Sequence, residues 1–327
     1  MTSIVSFAPD DSNLEPLINA FGENVGITWV DSNLDIDSAA EALKDTKAII
    51  LPPRGKVGVS LELAAKCPNL RLIQTISAGT DYLDKTALGE LGIKVSNNGG
   101  GNAISVAEHT IALIVGVYRK MNLQYLDVQN GRWQGDVRQK WGFQTHELTG
   151  KTVGIIGLGH IGKELAKRLQ GWDCEIIYSD VVSEESEMVK KLGLKKVSTE
   201  ELIKISDIVT LHVPLNSQTR GMISDNEFED MKSTAILINA CRGAVVDESA
   251  LIRAIESNKI MAAGVDVLEK EPTPENNPLI EYENVLITPH VAGFTQESIT
   301  RSQAFAVVNS LKVANGEEPD SVVLPDD

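Results

Sequence analysis

Short continuous apolar runs alternate along this chain with longer segments whose apolar residues recur three and four positions apart. "SIVSFA", "GITWV", "KAIILP", "RLIQTI" and "IKVSN" predict strands in the first part of the chain, and "LEPLINAF", "SAAEALKD", "SLELAAK" and "LDKTALGEL" predict helices between them. Parallel strands need a long crossover, usually a helix, so the alternation predicts parallel sheets covered on both faces. A second series starts at Lys151: "KTVGIIGLG", "CEIIYSD", "DIVTLHVPL", "AILINA", "MAAGVDVL" and "NVLITPH". These runs are apolar at successive positions, as strands buried on both faces must be. In "KELAKRLQGW", Leu165, Ala166, Leu169 and Trp172 share one helix face; in "DESALIRAIESNK", Asp247 caps a helix striped by Leu251, Ala254 and Ile255.

Between the two series, Gly99, Gly100 and Gly101 precede a helix predicted from about Ala103 to Leu123. Ile104, Val106, Ala107, Ile111, Ala112, Leu113, Ile114 and Val115 make it apolar around its circumference, the signature of a buried helix. This segment marks a domain crossing. A last helix, in "ESITRSQAFAVVNSLKVANG", carries Phe305, Val308 and Leu311 on one side and stops at Gly316. A length of 327 residues suits two domains.

Composition narrows the function classes. Apolar residues make up 42% and charged residues 23%, ordinary for a soluble globular protein. A formal charge of −16 repels phosphate backbones, which argues against nucleic-acid binding. "MTSIVSFAPDD" lacks a basic region followed by a long apolar core, and stretches such as "TIALIVGVY" fall short of the roughly 20 residues of a membrane helix. Cys67, Cys174 and Cys241 are odd in number and form no CxxC, so neither a disulfide framework nor a zinc knuckle is expected. A reducing, cytoplasmic compartment is the expectation. His109, His146, His160, His212 and His290 are scattered and present no metal-ligand spacing.

"VGIIGLGHIGKEL" places Gly157, Gly159 and Gly162 in GxGxxG spacing after a predicted strand and at the start of a predicted helix. That context gives the motif its meaning: one glycine for the turn, one for backbone approach to a pyrophosphate, one for helix–strand packing. The helix N-terminus adds N–H donors and partial positive charge. Asp180 ends the next strand, 21 residues beyond Gly159, where an acid accepts from ribose hydroxyls and repels a 2′-phosphate. No basic residue in "VVSEESE" offsets it, so NAD rather than NADP is the expected dinucleotide. The alternative is a generic α/β turn followed by a surface aspartate.

Three further segments end predicted strands, on the edge where open α/β sheets bind ligands. They carry Arg242 in "NACRGAVVDESAL", Asp266 and Glu271 in "GVDVLEKEP", and His290 in "TPHVAG". Singly, each has a structural alternative: Arg242 pairing an acid, Asp266 and Glu271 as solvated loop acids, His290 as a packed ring.

With "SAGTDYLD", "NAISVAEHTIAL", "GLGHIG" and "HVPLNSQTRGMI", these motifs make nearly the whole chain resemble the D-isomer-specific 2-hydroxyacid dehydrogenase family. The resemblance implies two doubly wound α/β domains: a Rossmann NAD domain, 103–291, inserted into a flavodoxin-like substrate domain, 1–102 and 292–327. It implies His290 as general acid/base, Glu271 as its carboxylate partner and Arg242 as the binder of the substrate carboxylate and 2-oxo group. It places Asp266 near the nicotinamide, and His160, Ile161, Val213, Pro214, Ala240 and Cys241 beside the cofactor. The peptide N–H groups around Ala78 and Gly79 would hold the substrate carboxylate. A histidine titrates near neutrality and an arginine offers a fixed fork of donors, so these residue types suit reduction of a 2-oxo acid.

The resemblance also implies a homodimer and a small-molecule substrate. Glyoxylate or hydroxypyruvate is the favoured expectation, with 3-phosphoglycerate as the alternative. Arg54, after "AIILPP", would meet a phosphate or second carboxylate, or else be solvated. Trp141 in "RQKWGFQT" resembles an aromatic that reductases of this family contribute across a dimer, or else is a core residue. Related formate dehydrogenases pair the histidine with an amide where this chain has Glu271. Related phosphite dehydrogenases carry a lysine where it has Ala78. Transcriptional corepressors that resemble this family keep the NAD fold and much of the catalytic set and use dinucleotide binding to assemble with partners, an alternative that peptide binding without turnover would favour.

Overall fold

The chain crosses twice between two units, Met1–Asn102 with Phe294–Asp327 forming one and Ala103–Gly293 the other. The computed structural model describes residues 3–6, 26–29, 35–51, 59–133, 135–182 and 187–325. Arg54 and the helix expected in "LEPLINAF" lie outside them. The return crossing falls two residues beyond the expected 291/292. Its reason is local: the N–H groups of Val291 and Ala292 are both held by the Asp266 carboxylate, which keeps them in the second unit.

The first unit is a five-stranded sheet of β1 (Ser3–Ser6), β2 (Gly26–Trp29), β3 (Thr46–Leu51), β4 (Leu72–Thr75) and β5 (Lys94–Ser96). The order is β2-β1-β3-β4-β5 with every pairing parallel, the flavodoxin-like order. Helices Ile36–Leu43, Leu61–Ala65 and Lys85–Glu90 each begin at a side chain that accepts a backbone N–H: Asp35, Ser60 and Asp84. Leu43, Ile49, Leu51, Leu63, Ile73 and Leu88 fill the core beneath them.

The C-terminal helix, Gln296–Ala314, returns to this sheet, where Asn309 Nδ2 donates to Gln74 Oε1 at 2.7 Å. Its buried face holds Ser302, Ala306, Val307 and Leu311, while Val308 is exposed. Of the side expected from Phe305, Val308 and Leu311, Leu311 is buried and Phe305 half-buried, and only Val308 faces outward. Gly99 and Gly101 let the helix approach closely, since a Cβ on Gly99 would strike Phe305 at 2.5 Å and one on Gly101 would strike Ser302 at 2.6 Å. Close backbone approach decides which face packs.

The second unit is a seven-stranded sheet: β6 (Thr152–Ile156), β7 (Glu175–Ser179), β8 (Lys195–Lys196), β9 (Ile208–Leu211), β10 (Ile236–Asn239), β11 (Ala262–Val265) and β12 (Val285–Ile287). Its order, β12-β11-β10-β9-β6-β7-β8, is the doubly wound dinucleotide-binding order extended by one strand. The switch point lies between β6 and β9. Two-residue β8 has no counterpart in the sequence reading, because so short a run carries no period. Alternate residues feed opposite cores: Leu237 packs on one face of the sheet, Ile236 and Ile238 on the other. Each such fully buried aliphatic contributes roughly 1.5–3 kcal/mol.

Two helices differ from expectation. Ala103–Arg119 ends four residues early, because Lys120 takes a left-handed conformation (φ 49°) before a second helix, Met121–Gln129. The first helix buries Val106, Ala107, Leu113 and Ile114 but leaves Ile104 and Ala112 exposed. His160–Leu169 buries Leu165, Ala166 and Leu169, while Trp172 lies past its end and is exposed. No helix of the described residues is long and apolar enough to cross a membrane.

Candidate active site

The glycine-rich turn is shaped by sterics. Gly157 adopts φ 94°, and a Cβ there would lie 2.5 Å from the His212 carbonyl oxygen. A Cβ on Gly162 would lie 2.3 Å from the Gly157 carbonyl oxygen. Gly159, in contrast, faces open space, with nothing among the described residues within 4 Å of a Cβ placed there. It precedes helix His160–Leu169, whose N-cap receives no side-chain hydrogen bond. The first N–H groups of that helix are thus without a capping side chain, beside a glycine that keeps its approach clear. These residues fit a dinucleotide pyrophosphate.

Asp180 follows β7 and clamps the turn. Its Oδ2 accepts from Leu158 N at 2.6 Å and its Oδ1 from Val182 N at 2.8 Å. His212 follows β9, buried, with Nε2 2.9 Å from Thr210 Oγ1 and, among the described residues, no partner for Nδ1. Burial pushes its pKa down to about 3, so the ring is neutral. Val213 is half-buried and Pro214 exposed beyond it. His160 is exposed, while Ile161 packs against Val106, Ala240 and Ala292. Burial likewise pushes the Cys241 thiol up to about 11, so it stays protonated, with Sγ 3.1 Å from Asn239 Oδ1. All three cysteines are free.

Arg242 sits in the turn after β10. Asn239, the last residue of that strand, shapes the turn by donating from Nδ2 to the Arg242 carbonyl at 3.0 Å and accepting Cys241 N–H at 3.1 Å. The guanidinium Nη1 donates to Cys241 O at 2.7 Å. Gly243 then passes so close to the next loop that a Cβ would lie 2.0 Å from Leu268 C and O. Leu268 N in turn donates to Glu271 Oε1 at 3.1 Å. The Arg242 turn and the Glu271 loop are therefore registered through one glycine.

The other oxygen of Glu271, Oε2, lies 2.6 Å from His290 Nδ1. Both side chains are about one-third exposed, so the pair is reachable by a small molecule. His290 has φ 55°, a conformation rare for a residue with a Cβ. Asp266 holds it there: its carbonyl takes His290 N–H at 2.7 Å, and its carboxylate takes Val291 N–H and Ala292 N–H, each at 2.9 Å. Expected beside the cofactor, Asp266 is buried and spends both side-chain oxygens on the loop that carries His290. The turns with Gly157, Asp180, Arg242, Asp266, Glu271 and His290 all follow C-terminal strand ends of one parallel sheet.

The substrate-loop residues belong to the first unit. Ala78 and Gly79 follow β4 in a half-buried turn, with Ser77 Oγ donating to Gly79 O at 2.9 Å and Thr75 Oγ1 to Ser77 O at 2.9 Å. Trp141 is buried within its own chain, its indole Nε1 donating to Asp127 Oδ2 at 2.8 Å. Sequence reading did not single out Asn239, Gly243, Thr288 or His109 as site-shaping residues. Asn239 and Gly243 flank Arg242 in the quoted motif, so proximity alone could have raised them. For His109 the sequence carries no such signal.

Residues 111–292 match the model of the D-isomer specific 2-hydroxyacid dehydrogenase NAD binding domain. The chain belongs to that family. It is 42% identical to the D-3-phosphoglycerate dehydrogenase of Archaeoglobus fulgidus over 77% of its own length; the match spans about half of that relative, 46% of its length. It is 36% identical to the glyoxylate reductase of Thermofilum pendens, over 86% of this chain and 82% of the relative. Among solved structures, a glyoxylate reductase from Paecilomyes thermophila superposes with a TM-score of 0.87 at 26% identity, covering 98% of each chain. This 2-hydroxyacid dehydrogenase chain therefore carries the family's NAD-binding domain, and NAD-dependent oxidation and reduction at a CH–OH carbon is the family's chemistry.

Proposed function

We propose that the protein reduces a small 2-oxo acid with NADH, glyoxylate or hydroxypyruvate being the favoured substrates. The observation that carries this reading is the His290–Glu271 pair, 2.6 Å apart at the sheet edge that also bears Arg242. NADH, when bound, supplies the hydride. The residues supply the rest. Glu271 holds Nδ1 of the imidazole, which assigns Nε2 to proton exchange with the substrate oxygen. Arg242 binds the carboxylate and 2-oxo group and stabilises the developing alkoxide, a role whose loss elsewhere costs on the order of 3 kcal/mol. The peptide N–H groups of Ala78 and Gly79 are assigned to the substrate carboxylate. Gly157, Gly159, His160, Ile161 and Gly162 are assigned to the pyrophosphate side, Asp180 to the ribose, and Val213, Pro214, Ala240, Cys241 and Asp266 to the cofactor's surroundings. The reading includes a cytoplasmic homodimer.

The test is NADH oxidation by the purified protein with glyoxylate, hydroxypyruvate, pyruvate and phosphohydroxypyruvate. Turnover of glyoxylate or hydroxypyruvate with the highest kcat/KM supports the reading. Preference for phosphohydroxypyruvate instead supports a phosphoglycerate dehydrogenase, which the 42% identity to the Archaeoglobus enzyme favours. No turnover with any of them overturns both.

A further inference from the structure

His109 lies on helix Ala103–Arg119 and reaches the foot of the loop that carries His290. Its Nε2 is 2.9 Å from Thr288 Oγ1 and 3.5 Å from Asp266 Oδ1. The Thr288 hydroxyl has one proton, and it points to Asp266 Oδ1 at 2.6 Å. The hydroxyl oxygen must then accept from His109, so the His109 ring carries its proton on Nε2. The chain of donors runs from His109 to Thr288 to Asp266.

Asp266 is where this matters. Three successive N–H groups, those of His290, Val291 and Ala292, end on Asp266. They hold His290 at φ 55°, which an L residue keeps only when its surroundings over-determine it. Oδ1 receives Val291 N–H and Thr288 Oγ1–H together, so the relay sets the plane of the carboxylate that positions the loop. Close packing fixes the helix that supplies His109: a Cβ on Gly116 would lie 2.7 Å from Leu286, in β12.

We propose that His109 is a positioning residue for His290, acting through the Thr288 hydroxyl and the Asp266 carboxylate. The proposal rests on the reading of His290 as the acid/base. It differs from a packing role for the ring in what must be kept: an N–H at the Nε2 position, not bulk.

The experiment compares His109→Leu, His109→Gln and Thr288→Val in the full chain. Amide hydrogen exchange at 290–292 and steady-state kinetics with NADH and the best substrate of the panel are the readouts. Expected is at least tenfold faster exchange at these amides in His109→Leu and Thr288→Val. Their kcat falls about 10- to 100-fold, the cost of a small misplacement of a reacting group, with KM for NADH within about twofold. His109→Gln, whose amide N–H reaches the same place, recovers most of both. In a His290→Gln background, His109→Leu lowers the residual rate less than about twofold, because both act through one group.

Unchanged exchange at 290–292 overturns the proposal. So does a Gln variant as impaired as Leu, or an undiminished loss in the His290→Gln background. Wild-type kcat in His290→Gln alone instead removes the acid/base reading, and the exchange data then decide the positioning by themselves.

Discussion

Glu271 bridges two partners: Oε2 stands 2.6 Å from Nδ1 of His290, while Oε1 takes the N–H of Leu268 at 3.1 Å. The carboxylate is thus tied to its own loop before it orients the ring. Replacing His290 with Ala should lower kcat by about 10²–10⁴-fold, the usual contribution of a positioned acid/base. Glu271→Gln keeps the shape but not the charge and should cost less, about 10- to 100-fold. Fluorescence titration should show NADH binding unchanged in both. Full turnover by His290→Ala would remove the acid/base assignment.

Gly159 and Gly243 separate cofactor binding from folding. A Cβ at Gly159 meets nothing among the described residues, so Gly159→Ala should leave the apo Tm unchanged and, with Gly159 assigned to the pyrophosphate approach as proposed, weaken NADH at least about tenfold. A Cβ at Gly243 would collide with the Leu268 backbone at 2.0 Å. Gly243→Ala should cost about 1–3 kcal/mol of stability and also lower kcat, since the Arg242 turn or the Glu271 loop must move. Thermal melts and NADH titrations of the two variants check this; a lower apo Tm in Gly159→Ala would count against an open site.

His212 should make the second unit acid-sensitive. Its pKa is depressed from 6.5 to about 3 by burial, so the folded state binds fewer protons than the unfolded chain between those values. The associated stability is fully present above pH 6.5 and declines as pH falls towards 3. By pH 5 the loss is about 2 kcal/mol. Urea unfolding at pH 7.5 and pH 5 should show His212→Gln losing less stability than the wild type by about that amount. Equal losses would mean that the ring is not held neutral.

The Asp180 carboxylate is anchored by the Leu158 and Val182 N–H groups, and the proposed function assigns it to the ribose, where it would face a 2′-phosphate. Like charges so placed cost several kcal/mol, so kcat/KM with NADH should exceed that with NADPH by on the order of 10²-fold. Asp180→Ser should narrow the ratio mainly by improving NADPH. A ratio that does not change would place Asp180 away from the ribose.

Much of this was legible along the chain because it is local. Continuous apolar runs betray strands buried twice, and the glycine spacing, with an acid 21 residues on, reports a strand–turn–helix–strand unit. Other features were misread. The pattern runs the Ala103 helix through Lys120, and it puts Val308 on the same side of the last helix as Phe305 and Leu311, where the structure exposes it. The first turns on the left-handed backbone of one residue, Lys120, and the second on how closely Gly99 and Gly101 approach the helix.

The two doubly wound units, the glycine-rich turn and the family are written in residue order, since each is encoded in periodicity or in short motifs. Tertiary structure alone decided how Asp266 is used, why His290 can hold φ 55°, and that His109 meets Thr288 from 179 residues away. The physical reason is that a hydrogen bond depends on distance and direction in space. Neither is written in the spacing of residues until the sheet has brought its strand ends together.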